Sequence, residues 1–506
     1  MRKFRIHVEI LVILLAVGVR LIPGPRIVDD AYITFRYARN VLGGAGLVYN
    51  PGEAVLGTTS PLYALILTGL GSVSGGSQAP LPMIAWLLNT LADGITCWLF
   101  IRMADRLDRR NAGLAAAFVW AVAPFSVTFA IGGMETSVLI ALMMATLYMY
   151  VSRCPKPTAL LASLCLLTRP DSLLLVGPLV LERLRQTLPE GRFNRKPIRI
   201  SLGEIAAFTL PLLAWAAFGF WFYGNPIPHS ITAKTAAYLL PPEAGLVRLL
   251  QHYATPFLAH ETFGLWWIGA GLLLYPVLHV IGSLEIIRRQ PETWPMLSYP
   301  WIYFAVFALA NPLLFRWYLV PPLPMFFLGV FLGIERLGRS LKFHHLTTVF
   351  AALAVALSLR TWRLHPDHGP DRPAPEMAFI RLELLYEQVA IALVDEIQPG
   401  QVLAAGDIGT LGYLTDAPIL DTVGLISTEA TRYYPLPAAD YEINYAIPTR
   451  LITDLEPDYL VILEVYGRHT LLRDPEFEHM YTRIETIPTD MYGSEGMLIY
   501  ARSALD

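Results

Sequence analysis

The chain has 506 residues, of which 54% are hydrophobic and only 16% charged, with a mean hydropathy of +0.47. A soluble domain carries about 25% charged residues, so a string of soluble domains is excluded, as is disorder, and three cysteines are too few for a disulfide scaffold. The net charge of −3 conceals a split: residues 1–361 carry 29 Lys+Arg against 17 Asp+Glu, whereas residues 362–506 carry 9 Arg, no Lys and 24 Asp+Glu. A basic membrane body (1–361) and an acidic soluble tail (362–506) follow. The tail repels phosphate, and with no nucleic-acid motif in the chain a nucleic-acid partner is excluded.

In chain order, MRKFR leads into an apolar stretch over about 6–22 with no small-x-small cleavage site after it, so an uncleaved first span is expected. Basic residues then mark the cytoplasmic side. They cluster at Arg2, Lys3 and Arg5; at Arg102, Arg106, Arg109 and Arg110; at Arg153 and Lys156; at Arg183, Arg185, Arg192, Arg195, Lys196 and Arg199; at Arg288 and Arg289; and at Arg336, Arg339 and Lys342. Full spans consistent with these clusters fall at about 6–22, 82–104, 112–131, 134–152, 203–222, 264–287, 296–312, 318–336 and 346–361. The run 61–73, about 20 Å long as a helix against a ~30 Å hydrocarbon core, is re-entrant or interfacial. The stretch 158–182 starts and ends at cytoplasmic clusters, so it enters and returns as two half-helices with Thr168-Arg169-Pro170-Asp171 at the tip. Residues 23–81, 223–263 and 311–318 form outer loops, and the tail, also outside, reads as mixed α/β with an amphipathic helix over about 376–397. The expected fold is therefore a polytopic α-helical membrane protein, about nine full spans plus a re-entrant half-helix pair, with a C-terminal soluble α/β domain.

The first outer loop is the most informative segment. Asp29 and Asp30 directly follow the first span, and two adjacent acids at a membrane surface repel, which raises one pKa. An isolated Asp pair is commonly a solvated cap. Here Tyr32, Phe35, Arg36, Tyr37 and Arg39 follow at helical spacing, with Arg36 and Arg39 available to a substrate.

This loop, DDAYITFRYARN, GLVYNPGE and GTTSPLY, resembles the first-loop signature of lipid-phosphosugar-dependent glycosyltransferases of the GT-C fold. Among them it is most like the actinobacterial arabinofuranosyltransferases that add terminal arabinose to cell-wall arabinan. GGMETS (132–137), LTRPDS (167–172, with Asp171 in place of Glu), YGNPIPHSITAK (223–234, with His229 in place of Asn), RWYLVPPLP (316–324) and GDIGTLGY with ILDTVGL (406–425) resemble further elements of that family in order along the chain. The resemblance implies transfer of a sugar from a polyprenyl-phosphate donor to a glycan or lipid-linked acceptor at the outer membrane face, with Asp29 or Asp30 as general base. It implies cations at the donor phosphate, for which Arg316 and Lys234 are the candidates, with Arg36 in support. Arabinofuranose is that family's donor sugar, and other pentoses and hexoses stay open.

The remaining candidates have structural alternatives. Glu135 either caps a helix N-terminus or lines the site. Arg169 and Asp171 compensate one another or serve a cavity. His229 and Lys234 lie on the second outer loop, where a lysine can also snorkel. Arg316 beside Trp317 and Tyr318 can be an aromatic-belt anchor. No cofactor or metal site is indicated by ligand spacing; a divalent ion at Asp29 and Asp30 is the one alternative kept open. A lipid or sugar transporter or flippase, and a non-catalytic cell-envelope assembly protein, are the rival functions.

Overall fold

A computed structural model describes residues 2–188, 199–257, 265–366, 370–376 and 381–503. Arg192, Arg195 and Lys196 of the fourth basic cluster, and the first residues of the helix expected over 376–397, lie outside the described residues. In chain order the helices are α1 (Arg2–Leu21), α2 (Asp29–Leu42), α3 (Pro61–Ser72), α4 (Leu81–Arg106), α5 (Arg110–Val122), α6 (Pro124–Ile131), α7 (Thr136–Val151), α8 (Pro155–Thr168), α9 (Leu173–Arg185), α10 (Leu202–Tyr223), α11 (His229–Ala237), α12 (Ala244–Ala254), α13 (Leu265–Arg289), α14 (Trp294–Ala310), α15 (Leu323–Ser340), α16 (Leu346–Arg360), α17 (Arg381–Leu393), α18 (Gly409–Thr415), α19 (Thr449–Leu455), α20 (Glu464–Gly467) and α21 (Pro475–Met480).

Each expected span coincides with a helix, but the count of nine full spans does not follow. Among the described residues four helices are long and apolar enough to cross a membrane: α4, α10, α13 from Trp266, and the stretch Arg316–Ser340 that contains α15. A fifth is the pair α5 and α6, if that 51° bend lies within one span. The shortfall has simple causes. α7, α14 and α16 have 16, 17 and 15 residues, fewer than the ~20 that a ~30 Å core needs. α1 carries Glu9 and Arg20 within its apolar stretch. α3 has 12 residues, too short to span. The stretch 158–182 is two helices, α8 and α9, broken at Arg169, whose extended backbone (φ −154°, ψ 132°) is what a residue before proline adopts.

The described chain forms two compact units, and they do not divide at residue 361. The first comprises Met1–Arg26, Ala85–Trp215 and Pro242–Phe379; the second comprises Ile27–Ile84, Ala216–Pro241 and Ile380–Asp506.

In the first unit α13 lies along α15 at close range, because Gly329 and Gly333 leave only backbone facing Leu278, His279 and Gly282. This small-xxx-small spacing is the usual way apolar helices approach closely. An ion pair sits in the core: Arg20 Nε is 2.7 Å from Asp93 Oδ2, with both side chains fully buried. Further hydrogen bonds surround the pair. Arg20 also donates to the carbonyls of Ala16 and Ala121 and to Ser126 Oγ, and Asp93 accepts from Trp120 Nε1 and Ser137 Oγ. The basic clusters share carboxylates. Arg109, Arg289, Arg336 and Arg339 converge on Glu285, and Arg102 and Arg110 on Glu9. A two-stranded ribbon, β1 (Trp362–Arg363) and β2 (Ala374–Pro375), also belongs to this unit.

The second unit is built on a five-stranded sheet of order β4-β3-β5-β7-β6: β3 (Leu403–Ala405), β4 (Ile419–Asp421), β5 (Tyr459–Leu463), β6 (Tyr481–Ile487) and β7 (Met497–Arg502). β3 runs parallel to both β4 and β5, with Ala405 opposite Asp421 on one side and Val461 on the other. β7 is antiparallel to β5 and β6. β3 and β4 are buried along their whole length, which is why they read as unbroken apolar runs rather than alternating ones.

Candidate active site

The first-loop signature folds as α2, and its helical spacing has a physical purpose. Asp29 and Asp30 occupy the first turn, where the helix dipole favours acids. Tyr32, Phe35, Arg36 and Arg39 share one face, and that face meets α18 of the same unit. The Tyr413 ring lies 5.1 Å from Tyr32 and 6.1 Å from Phe35. Arg39 donates to the Tyr413 carbonyl (2.9 Å) and pairs with Asp416 (2.8 Å).

Most of the signature is a socket for the backbone of residues 408–419. Arg36 is buried, and its guanidinium donates to the carbonyls of Tyr49 (2.9 Å), Gly412 (2.5 Å) and Ala417 (2.7 Å). Tyr49 donates its hydroxyl to the Ile408 carbonyl. The Asn50 amide bonds both the carbonyl and the N–H of Ile419 (2.8 and 3.0 Å), completing the edge of β4 as a neighbouring strand would. Asp29 is buried and accepts the N–H groups of Gly409 (2.9 Å) and Thr410 (2.7 Å), one on each carboxylate oxygen. It thereby caps α18 from a distant part of the chain. Gly409 must be glycine, because a Cβ there would run into the Asp29 carbonyl. Arg36, expected to support donor binding, is instead a clamp with its donors already engaged. Among the described residues no group of three His, Cys, Asp or Glu has metal-binding geometry.

Asp30 differs. It is only half-buried, and none of the hydrogen bonds that hold Asp29 involves it. Burial raises its pKa above the ordinary carboxylate value, and the charge of Lys234 pulls the other way. Lys234 and His229 lie on α11, tied to the first loop by the His229 N–H donating to the Leu56 carbonyl (2.8 Å). Burial lowers the pKa of the His229 ring. The structure thus brings Asp29, Asp30, Arg36, His229 and Lys234 into one unit.

Three further residues of this unit were not singled out from the sequence. Asp407 lies two residues beyond the end of β3 and is half-buried; burial, then the charge of Asp29, raises its pKa. Tyr386 of α17 donates its hydroxyl to Asp407 Oδ2 at 2.9 Å. Glu383, one turn earlier on α17, is buried and held well above the usual carboxylate range by desolvation. The available signal was an aspartate just after an apolar strand, inside the glycine-punctuated GDIG.

Glu135, Arg169 and Arg316 belong to the first unit. Arg169 grips Asp171 with two bonds (3.1 and 2.6 Å), approaches Glu135 at 3.5 Å, donates to the Trp317 carbonyl (3.3 Å) and stacks 4.7 Å from the Tyr318 ring centre. Tyr303 donates to Asp171 (3.2 Å) and to the Tyr318 carbonyl (2.5 Å). This is a compensated charge cluster. Arg316 is exposed on the short turn Arg316–Leu319, next to the Trp317 and Tyr318 backbone that this cluster fixes.

A family profile described as a domain of unknown function (DUF8728) matches residues 378–500. In sequence the chain is 30% identical, over 230 residues, to the terminal β-(1→2)-arabinofuranosyltransferase of Mycobacterium tuberculosis; the match covers 42% of this chain and 35% of that protein. In structure it is similar to ArnT from Cupriavidus metallidurans bound to undecaprenyl phosphate, with a TM-score of 0.58 and 12% identity, covering 100% of this chain and 99% of that one. It is also similar to the Archaeoglobus fulgidus oligosaccharyltransferase, with a TM-score of 0.54 and 12% identity, covering 98% and 73%. The class is therefore a multi-pass membrane protein with the fold of the GT-C glycosyltransferases. Within that class its sequence is arabinofuranosyltransferase-like, over about a third of the length of the curated relative.

Proposed function

We propose that this chain transfers a sugar from a polyprenyl-phosphate donor to a hydroxyl of a glycan or glycolipid at the outer face of the membrane, with Asp30 as the general base. The observation that carries this reading is the division of labour in the Asp pair. Asp29 is immobilised by two N–H bonds, and Asp30, one residue on, is only partly buried and feels the charge of Lys234. In the reaction the acceptor O–H loses its proton to the Asp30 carboxylate while its oxygen bonds the anomeric carbon. The bond from that carbon to phosphate oxygen breaks, and the lipid phosphate leaves with the electron pair. Lys234, in the same unit as Asp30, is the cation proposed to receive the phosphate charge; Arg316 is a separate candidate that the family resemblance supplies. ArnT, bound to undecaprenyl phosphate in its structure, supports the donor class. The relative's activity supports arabinofuranose as the sugar. Placing residues 362–506 outside the cell follows from the charge asymmetry and belongs to the same proposal.

The test is transfer by the purified protein in lipid nanodiscs, with a synthetic polyprenyl-phosphate arabinofuranose and a short arabinofuranoside acceptor. The expected result is elongated acceptor and released polyprenyl phosphate in equal amounts. If pentose and hexose donors both stay intact while lipid crosses sealed vesicles, the protein is a transporter.

A further inference from the structure

The three parallel strands of the second unit lie in the order β4-β3-β5. The chain leaves β3 through α18 to reach β4 on one side, and enters β5 on the other side only after β4. The connections therefore change direction at β3 and β5. In open α/β sheets, ligands bind in the crevice outside the carboxyl ends of the strands at such a point.

The residues at these carboxyl ends suit a ligand rich in hydroxyls. Gly406 and Asp407 follow β3, Thr422 follows β4, and Glu464 follows β5. Asp407 has one oxygen bonded to Tyr386, and the residue is only partly buried. The Thr422 and Tyr445 hydroxyls lie 2.7 Å apart, and the Tyr445 ring packs against Tyr238 (5.6 Å) and Tyr466 (5.1 Å). Glu383 Oε2 is buried with no hydrogen-bond partner among the described residues, and its charge interacts with both Asp29 and Asp407. The Asp pair reaches this same end of the sheet, since Asp29 bonds Gly409 and Thr410, two and three residues beyond Asp407.

We propose that this end of the sheet is an acceptor subsite, in which Asp407, held by the buried Tyr386 hydroxyl, binds hydroxyl groups of an uncharged sugar and orients the attacking hydroxyl toward Asp30. The proposal rests on the reading of Asp30 as the base. The ligand class follows from the surroundings. No cation faces Asp407 among the charges that shift it, all of which are acids, so a neutral sugar suits this end of the sheet better than the donor phosphate. A partly buried carboxylate such as Asp407 is a group that sugar hydroxyls bond. Asp407 is a binding and positioning residue here, not a second base.

The experiment uses the full-length protein in nanodiscs with the polyprenyl-phosphate arabinofuranose donor and a short neutral arabinofuranoside acceptor. Asp407→Ala and Tyr386→Phe are expected to raise the acceptor KM tenfold or more, leaving the donor KM and the direct affinity for polyprenyl phosphate within twofold of the parent. Asp407→Asn, which keeps a hydrogen-bonding group of the same shape, is expected to recover most of the acceptor KM. Thermal melting identifies any variant that fails to fold, and Tyr386→Phe, which removes a single oxygen, stands in if Asp407→Ala does. Acceptor KM values equal to the parent's in the folded variants overturn the subsite. Asp30→Asn, run in parallel, separates the two readings, because parent-like turnover there removes the base and leaves the acceptor KM data to be judged alone.

Discussion

Arg20 and Asp93 in the first unit, and Asp29 and Asp30 in the second, are ionisable groups withdrawn from water, yet their surroundings differ. Arg20 and Asp93 neutralise each other at 2.7 Å and bond further to two carbonyls, two hydroxyls and an indole. Arg169 likewise pairs with Asp171 at 2.6 Å and lies 3.5 Å from a second carboxylate, Glu135. In the second unit Asp29, Asp30, Glu383 and Asp407 interact with one another, and Lys234 is the cation whose charge opposes the shift at Asp30. Arg36, close in sequence, is committed to backbone carbonyls. A matched buried pair holds elements in register and gains nothing by exchanging protons. A set of acids without equivalent cations keeps pKa values in the range where a proton can be taken up and returned, and such groups concentrate at functional sites.

The comparison breaks first at the matched pair. Arg20→Ala leaves Asp93 buried and uncompensated, at a cost of about 3–5 kcal/mol, so a large fall in melting temperature and in recovery of folded protein from membranes is expected. Melting like the parent's would mean that the pair is not what holds α1 against its neighbours. Arg316→Ala and Lys234→Ala come next. A charge-assisted hydrogen bond is worth about 1.5–3 kcal/mol, so each should lower turnover at sub-saturating donor roughly tenfold or more with little change in melting. Arg316→Lys should recover only part, because the bidentate fork is lost. Unchanged turnover in both alanine variants would remove these cations from the donor phosphate.

The smallest expected effect is on pH dependence. Asp30 must be ionised to accept a proton, and burial raises its pKa above the ~3.9 of a free aspartate. Transfer should therefore fall on acidification, with a midpoint above that value. Lys234 opposes the shift, while Asp29 and Asp407 are the acids whose charges interact with it. Lys234→Ala should move the acidic limb to still higher pH. A limb that stays in place in that variant, measured as kcat from pH 4 to 8, would show that the lysine does not act on the base.

The helical spacing of Tyr32, Phe35, Arg36 and Arg39 was legible from the sequence, as was the compensation of Arg169 by Asp171 two residues away. What those residues touch was not. The groups bonded to Asp29 lie 380 and 381 positions along the chain, and local pattern carries no information about such partners. That is why Arg36 looked available to a phosphate when it is closed over carbonyls. Asp407 was hidden for a related reason: one aspartate among glycines reads as a turn until the strand before it and Tyr386 beside it are in place. Hydropathy found the apolar helices, but the number of spans does not follow from it, since a 15-residue helix such as α16 looks the same as a short span in one dimension.

The Asp pair itself offers the most direct test. Asp29→Asn and Asp30→Asn differ from the parent by one near-isosteric replacement each, and both would be measured for thermal melting and for single-turnover transfer at saturating donor and acceptor. Asp30→Asn should melt like the parent and lose about 10²–10⁴-fold in rate, with polyprenyl-phosphate affinity unchanged. Asp29→Asn keeps only one of its two acceptor oxygens for Gly409 and Thr410, so it should melt at a lower temperature and, where still folded, lose less than tenfold in rate. The reverse pattern, with Asp30→Asn turning over within threefold of the parent and Asp29→Asn inactive but fully stable, would contradict the assignment.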